Sequence, residues 1–445
     1  MAVTGDLVAL TAIEAAEKIS GGELSAEEYV GACLDRIAAI ESTVHAFVHL
    51  DPGEALSQAR ALDERRRNGN AIGPLHGIPV AIKDIFDTAD YPTECGSALL
   101  KGRRPMRDST IVARLRSAGA VIIGKTVSTE FAYFHPGPTR NPHDLERTPG
   151  GSSSGSAAAV AAAMVPLAVG SQTNGSVIRP ASFCGVYGVK PTHGLISRSG
   201  ALILSEALDH VGVFARTLAD SALILEVLAG YDPNDRDTRP VAAPNFLERL
   251  AEDPPVPPRI AFVRTPVWDT ADAATRSAFE ALAGQLGDSV VALDLPDSYA
   301  AGWDDHRTIM AADMAHRLTA VVERGGEGGS SQMLRDLLAE GSKVSAMRYL
   351  AARDAARRYR LGLDEIFGEY DAILTPATMG VAPKGNATGS PAFCTFWSLV
   401  GLPAVTLPLL NGEGGMPLGV QLIGQAGDDA RLLRTANWLN GRLAV

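Results

Sequence analysis

Apolar positions recur with a helical period at both ends of this chain and give way to short apolar runs in between. Residues 25–40 form an amphipathic pattern, with Ser25 placed as an N-cap. A polar, Arg-rich helix is predicted over 54–66. From Leu75 the pattern shortens: a strand over 80–82, a helix over 111–117, a buried strand over 120–123 and an Ala-rich helix over 156–165. This alternation continues to about Gly230 and indicates an α/β architecture. A Pro-rich, charged break spans 232–258. A strand follows at 259–263, then helices over 271–286 and 311–360, interrupted by the Gly/Ser-rich 325–331. Strands return at 372–376, 404–408 and 419–423, and a last helix covers 428–442. The expectation is α/β, a single large domain over 1–445, with a mixed central sheet covered by helices and a mostly helical insertion at about 240–365.

Composition narrows the class. Of 445 residues, 46% are hydrophobic and 20% charged, which suits a globular protein with a large core. The formal net charge of −11 argues against nucleic acid or an anionic membrane as the main partner. Cys33, Cys95, Cys184 and Cys394 lie far apart and form no C-x-x-C pair, so free buried thiols are expected rather than disulfides or a zinc site. No metal-ligand spacing such as H-E-x-x-H occurs. The first ten residues lack a basic start followed by an apolar run, and the apolar stretch 157–169 is too short to span a bilayer. A cytoplasmic location is the resulting expectation.

Two short motifs mislead. Gly119 to Thr126 matches G-x-x-x-x-G-K-T, but its middle residues read as the strand itself, and N–H groups tied up in a sheet cannot cradle phosphate. Gly151-Ser152-Ser153-Ser154-Gly155 matches G-x-S-x-G, which would make Ser153 a nucleophile. No strand leads into Gly151, and Asp209-His210 are sequence neighbours, which rarely face one another, so a Ser-His-Asp hydrolase is not expected.

Lys83, Ser152 and Ser176 are the more informative set. Lys83 follows Val80-Ala81-Ile82, and burial among such residues lowers a lysine pKa until the amine can act as a base. Ser152 opens a Ser/Gly-rich run, and Ser176 ends Thr173-Asn174-Gly175-Ser176. A serine behind a Gly-containing turn has backbone N–H groups beside it, and it needs a proton acceptor to become nucleophilic. These segments resemble the amidase signature family. The resemblance runs nearly continuously through PGGSSSGSAAAVAAAMVPLAVGSQTNGSVIRPASFCGVYGVKP (149–191) and includes 79–97, Gly124-Lys125-Thr126, 209–212 and 417–424. Residues 240–365 carry the least of it.

The resemblance implies that Ser176 is the nucleophile, Ser152 a bridging serine with a cis peptide bond, and Lys83 the base. It also implies an oxyanion hole from backbone N–H groups around Thr173, Asn174 and Gly175. Many members have two glycines before the serine, where this chain has Asn174-Gly175; Asn tolerates left-handed backbone, so the turn is expected to survive. No cofactor is needed, because backbone donors alone can polarise the carbonyl. Ser176-Val177-Ile178-Arg179-Pro180 resembles the malonamidase branch, in which the matching arginine holds a substrate carboxylate; a guanidinium fork suits that task. The expected activity is hydrolysis of a small linear amide, with Arg179 as substrate-binding residue. The alternatives are a hydrolase of carboxylated urea-type compounds and a transamidase subunit of a larger complex. The resemblance also implies a homodimer, although no interface is legible in the sequence.

Overall fold

The computed structural model describes residues 4–326 and 328–443. Three helices open the chain, α1 (Thr4–Ala9), α2 (Ala12–Gly21) and α3 (Ala26–Val44), followed by β1 (Phe47–Leu50) and α4 (Pro52–Arg67). Ser25 caps α3 as the sequence predicts, in a reciprocal capping box with Glu28. The next stretch alternates: β2 (Pro79–Lys83), α5 (Thr110–Ser117), β3 (Val121–Thr126), α6 (Ser154–Ala161), β4 (Leu167–Gln172), α7 (Ile178–Cys184), β5 (Tyr187–Lys190), β6 (His210–Ala215) and α8 (Leu218–Leu228). Then come α9 (Phe246–Ala251), β7 (Ile260–Arg264), α10 (Ala273–Leu286), β8 (Val290–Asp294), α11 (Gly302–Arg324), α12 (Gln332–Gly341) and α13 (Ala346–Phe367). The chain closes with β9 (Ala372–Pro376), α14 (Ala392–Leu399), β10 (Ala404–Asn411), β11 (Pro417–Ile423) and α15 (Asp429–Leu443).

Among the described residues, eleven strands join one mixed sheet in the order β1-β3-β2-β4-β6-β5-β10-β11-β9-β7-β8. Parallel pairs (β3/β2/β4 and β9/β7/β8) flank a central antiparallel block. The single α/β domain with a mixed sheet flanked by helices is therefore the observed architecture. Residues 240–365 are mostly helical and also supply β7 and β8 to one side of the sheet. Neither β1 nor β8 is predicted from the sequence. Both are the outermost strands, with one neighbour each and partly exposed side chains; β1 is only four residues long and interrupted by His49, whereas β8 does carry an apolar run, Val290-Val291-Ala292-Leu293, that sequence reasoning passes over. The Ala-rich helix ends at Ala161, short of the predicted 165. Ala163 turns into left-handed backbone (φ 54°), and Pro166 then leads into β4.

Strands β2 and β4 are parallel neighbours, so their C-terminal ends lie side by side. This edge positions the site. The Gly150–Ser153 turn enters α6 over it, held by Gly155: its N–H donates to the Val127 carbonyl, and a Cβ there would stand 2.1 Å from the Ala46 carbonyl oxygen and 2.5 Å from Val127 N. Gly155→Ala is thus expected to destabilise the fold by about 3 kcal/mol, because backbone on both sides cannot yield. The urea midpoint of the variant checks this. Among the described residues no helix is long and apolar enough to cross a membrane. All four cysteines are free and buried.

Candidate active site

Lys83 ends β2 with its side chain fully buried. Its Nζ reaches Ser152 Oγ at 2.6 Å and Ser171 Oγ at 2.8 Å. Burial pushes the ammonium down to about 7, against an opposing pull from Asp209. Hydroxyls can hydrogen-bond a neutral amine as readily as a charged one, so this environment tolerates both protonation states. The Gly151–Ser152 peptide bond is cis. Ser153, by contrast, is wholly buried, and its hydroxyl is occupied by the backbone N–H and carbonyl of Ser171. Ser153, the nucleophile that the G-x-S-x-G string would imply, is a packing residue here. The P-loop string behaves as its pattern predicts: 121–126 is β3, and Lys125 is buried against Asp84 at 3.1 Å.

Ser176 sits in the short connection from β4 to α7 and is 7% exposed. The structure contains no hydrogen bond between its hydroxyl and Ser152, so the contiguous chain of contacts runs from Lys83 to Ser152. Catalytic hydrogen bonds are often long before substrate arrives. Among the described residues, none of the N–H groups from Thr173 to Ser176 donates to another protein group. Four consecutive unpaired donors beside a serine can stabilise an oxygen that gains negative charge. Asn174 differs from the expectation: neither it nor Gly175 has positive φ. The turn needs no left-handed residue, and the Asn174 side chain accepts a hydrogen bond from Thr395 Oγ1 at 2.7 Å.

Sequence reasoning misses the residues that shape this connection. Gln172 Oε1 accepts from the N–H groups of Val177 and Ile178 at 2.9 and 3.0 Å, and its Nε2 donates to Ser398 Oγ at 3.0 Å. Thr173 Oγ1 donates to Asp209 at 2.6 Å. Burial pushes the Asp209 carboxyl up, while bonds from Thr173, Ser205 and Leu204 hold it back. The sequence signal for Asp209 is its place within a family-like segment.

Arg179, in the first turn of α7, is 2% exposed. One Nη2 bond goes to the Gly151 carbonyl at 2.7 Å, and its Cζ lies 5.5 Å from the centre of the Phe134 ring. Its Nε and Nη1 are buried without a partner. Burial pulls the guanidinium down to about 10, so it stays charged at neutral pH.

The amidase family's sequence profile matches residues 28–433. The chain belongs to the amidase family. It is 38% identical to a glutamyl-tRNA(Gln) amidotransferase subunit of Chloroflexus aggregans, over 96% of this chain and 95% of that one. Among solved structures, this amidase-family chain resembles one from a vestigial protein complex that reveals the evolutionary origins of an s-triazine catabolic enzyme. The TM-score is 0.90 at 32% identity, covering 97% of this chain and 98% of the other. The native peptide amidase of Stenotrophomonas maltophilia gives a TM-score of 0.86 at 31% identity, covering 98% and 97%.

Proposed function

We propose that this amidase-family enzyme hydrolyses the C–N bond of a small linear amide through an acyl-enzyme on Ser176. The observation that carries this reading is the buried Lys83, brought near neutrality and bonded to Ser152 beside a connection with four free N–H donors. Lys83 takes the Ser176 proton through Ser152 and returns it by the same route to the departing amine. The oxyanion of the tetrahedral intermediate is held by the N–H groups of Thr173, Asn174, Gly175 and Ser176. Water then releases the carboxylate.

Arg179 reads a carboxylate on the substrate in this proposal, as in malonamidases. A buried guanidinium with free Nε and Nη1 donors is costly unless an acceptor arrives, and a carboxylate is the matching one. Its bond to the Gly151 carbonyl braces the turn at the same time. The test is ammonia release from malonamic acid and its neutral diamide, malonamide. Arg179→Ala is expected to cut kcat/KM for the acid by about 10- to 100-fold more than for the diamide, the value of hydrogen bonds to a charged group, with any loss of the brace shared by both. Equal losses on both would reduce Arg179 to a brace. A carboxylated urea-type substrate presents the same pairing of amide and carboxylate and belongs in the same assay.

A second reading rests on the 38% identity to a transamidase component and on the likeness to a chain from a protein complex. Here the chain works as one subunit of a larger assembly. Turnover of free small amides by the isolated chain supports the stand-alone hydrolase. Ammonia release only after a partner protein is added supports the other.

A further inference from the structure

The Thr173–Ser176 connection is gripped by its carbonyls. His306 Nε2, from α11, lies 3.0 Å from the Thr173 carbonyl oxygen. Ser398 Oγ, from α14, donates to the Asn174 carbonyl at 2.5 Å. The Gly175 carbonyl accepts from Arg179 N at 3.0 Å as α7 begins. In a trans peptide the C=O of one residue and the N–H of the next point in opposite directions. The cis bond lies elsewhere, at Gly151–Ser152. Fixing the carbonyls of 173, 174 and 175 therefore fixes the N–H groups of Asn174, Gly175 and Ser176 on the opposite side, where each is free. The third grip is ordinary helix geometry. The first two come from distant parts of the chain.

We propose that His306 and Ser398 are positioning residues for the amide-hydrolysing site: they aim the Asn174 and Gly175 N–H groups at the developing oxyanion. The proposal rests on the reading of Ser176 as nucleophile. The proton inventory at both grips allows one arrangement. The Thr173 carbonyl can only accept, so His306 carries its proton on Nε2; deep burial keeps that ring neutral at pH 7. At Ser398, the two backbone N–H groups that face the Gln172 amide require its Oε1, which turns Nε2 toward Ser398 Oγ. The single Ser398 proton is thereby directed away from Gln172, and its shortest acceptor is the Asn174 carbonyl; the Cys394 carbonyl lies at 3.2 Å. Thr395, on the same helix α14, holds the Asn174 side chain. The helical region of weakest family resemblance thus reaches the chemistry through His306, and Trp303 on the same helix ties α11 to the start of α14 by donating to the Ala392 carbonyl at 2.8 Å.

A small fluorophosphonate tests this on the full chain. Ser176 Oγ bonds to phosphorus, the P–F bond breaks, fluoride leaves, and the Ser176 proton passes through Ser152 to Lys83. The phosphonyl oxygen occupies the oxyanion position. Intact-mass labelling over a range of probe concentrations separates the maximal rate from the half-saturating concentration. His306→Phe and Ser398→Ala are expected to lower the maximal rate by about 10- to 100-fold, with the half-saturating concentration within about threefold of wild type. His306→Gln, which keeps an N–H donor, is expected to recover most of the rate lost in His306→Phe. If His306→Phe does not fold, Ser398→Ala carries the test, since it removes one oxygen from a helix face. Wild-type rates in the folded variants, or a glutamine variant as slow as the phenylalanine one, overturn the positioning role. Ser176→Ala separates the two readings. Labelling that persists there overturns the nucleophile assignment and the positioning role with it. Labelling lost there but unchanged in the His306 and Ser398 variants overturns the positioning role alone.

Discussion

Ser176→Ala is expected to lower kcat by about 10⁵-fold or more while leaving the thermal midpoint nearly unchanged. The hydroxyl makes no hydrogen bond to Ser152 in the resting structure, so its loss leaves no buried partner unsatisfied on that side. The chemistry, however, has no substitute. Ser171 touches Lys83 but its residue lies in β4, and Ser153 is tied to the Ser171 backbone. Members of a catalytic unit are strongly non-additive, because each acts only through the others. Adding Lys83→Met to Ser176→Ala is therefore expected to reduce turnover no further. The check is ammonia release by the single and double variants, together with mass spectrometry of quenched reactions for an acyl adduct. A double variant markedly slower than Ser176→Ala would mean that Lys83 can act on water directly once Ser176 is gone, and the absence of an acyl adduct in quenched wild-type reactions would overturn the acyl-enzyme.

The legible parts of this protein are those whose signal is local. Val80-Ala81-Ile82 before Lys83 reads as a buried strand and is one. The Ser25 N-cap, the strands at 372–376, 404–408 and 419–423, and the final helix all lie where propensity and pattern place them. What escapes the sequence depends on contacts across long separations. His306 is an ordinary histidine in the least family-like region; it reaches Thr173 only because α11 packs beside α14. Gln172 ends a strand and carries no local sign that its amide caps the start of α7 and orients Ser398. The sequence signals Asn174 through its backbone tolerance, whereas the fold uses its side chain, held by Thr395. The edge strand β1 stays hidden because four residues interrupted by His49 give too short a pattern, while the apolar run Val290–Leu293 of β8 is a signal the sequence does hold.

Lys83→Met carries the second large effect, with a kinetic signature that a merely structural lysine would not produce and a stability signature that reports its protonation state in the fold. The first is kinetic. In wild type, kcat/KM rises as Lys83 loses its proton and levels off above about pH 8, since burial brings the group to about 7. Removing a general base costs typically about 10²–10⁴-fold, and the rise through pH 7 disappears with it. A rate that falls steadily from pH 6 to 9 in the folded wild type would end the lysine-base mechanism. The second signature is in stability. A lysine lowered from 10.5 to about 7 on folding binds fewer protons folded than unfolded between those pH values. Stability from this group therefore rises with pH across that window, and its cost is greatest below pH 7. Lys190 is also lowered to about 7 by burial and gives the same slope in both proteins, so the difference between wild type and Lys83→Met isolates Lys83. From pH 7 to pH 9 the wild type should gain about 2–3 kcal/mol relative to the variant, read from urea unfolding at both pH values. Methionine leaves the Ser152 and Ser171 hydroxyls without their shared partner, which offsets the absolute stability of the variant but not this slope. Parallel pH dependences would mean that Lys83 stays charged in the folded state, and a charged lysine cannot accept the proton of Ser176.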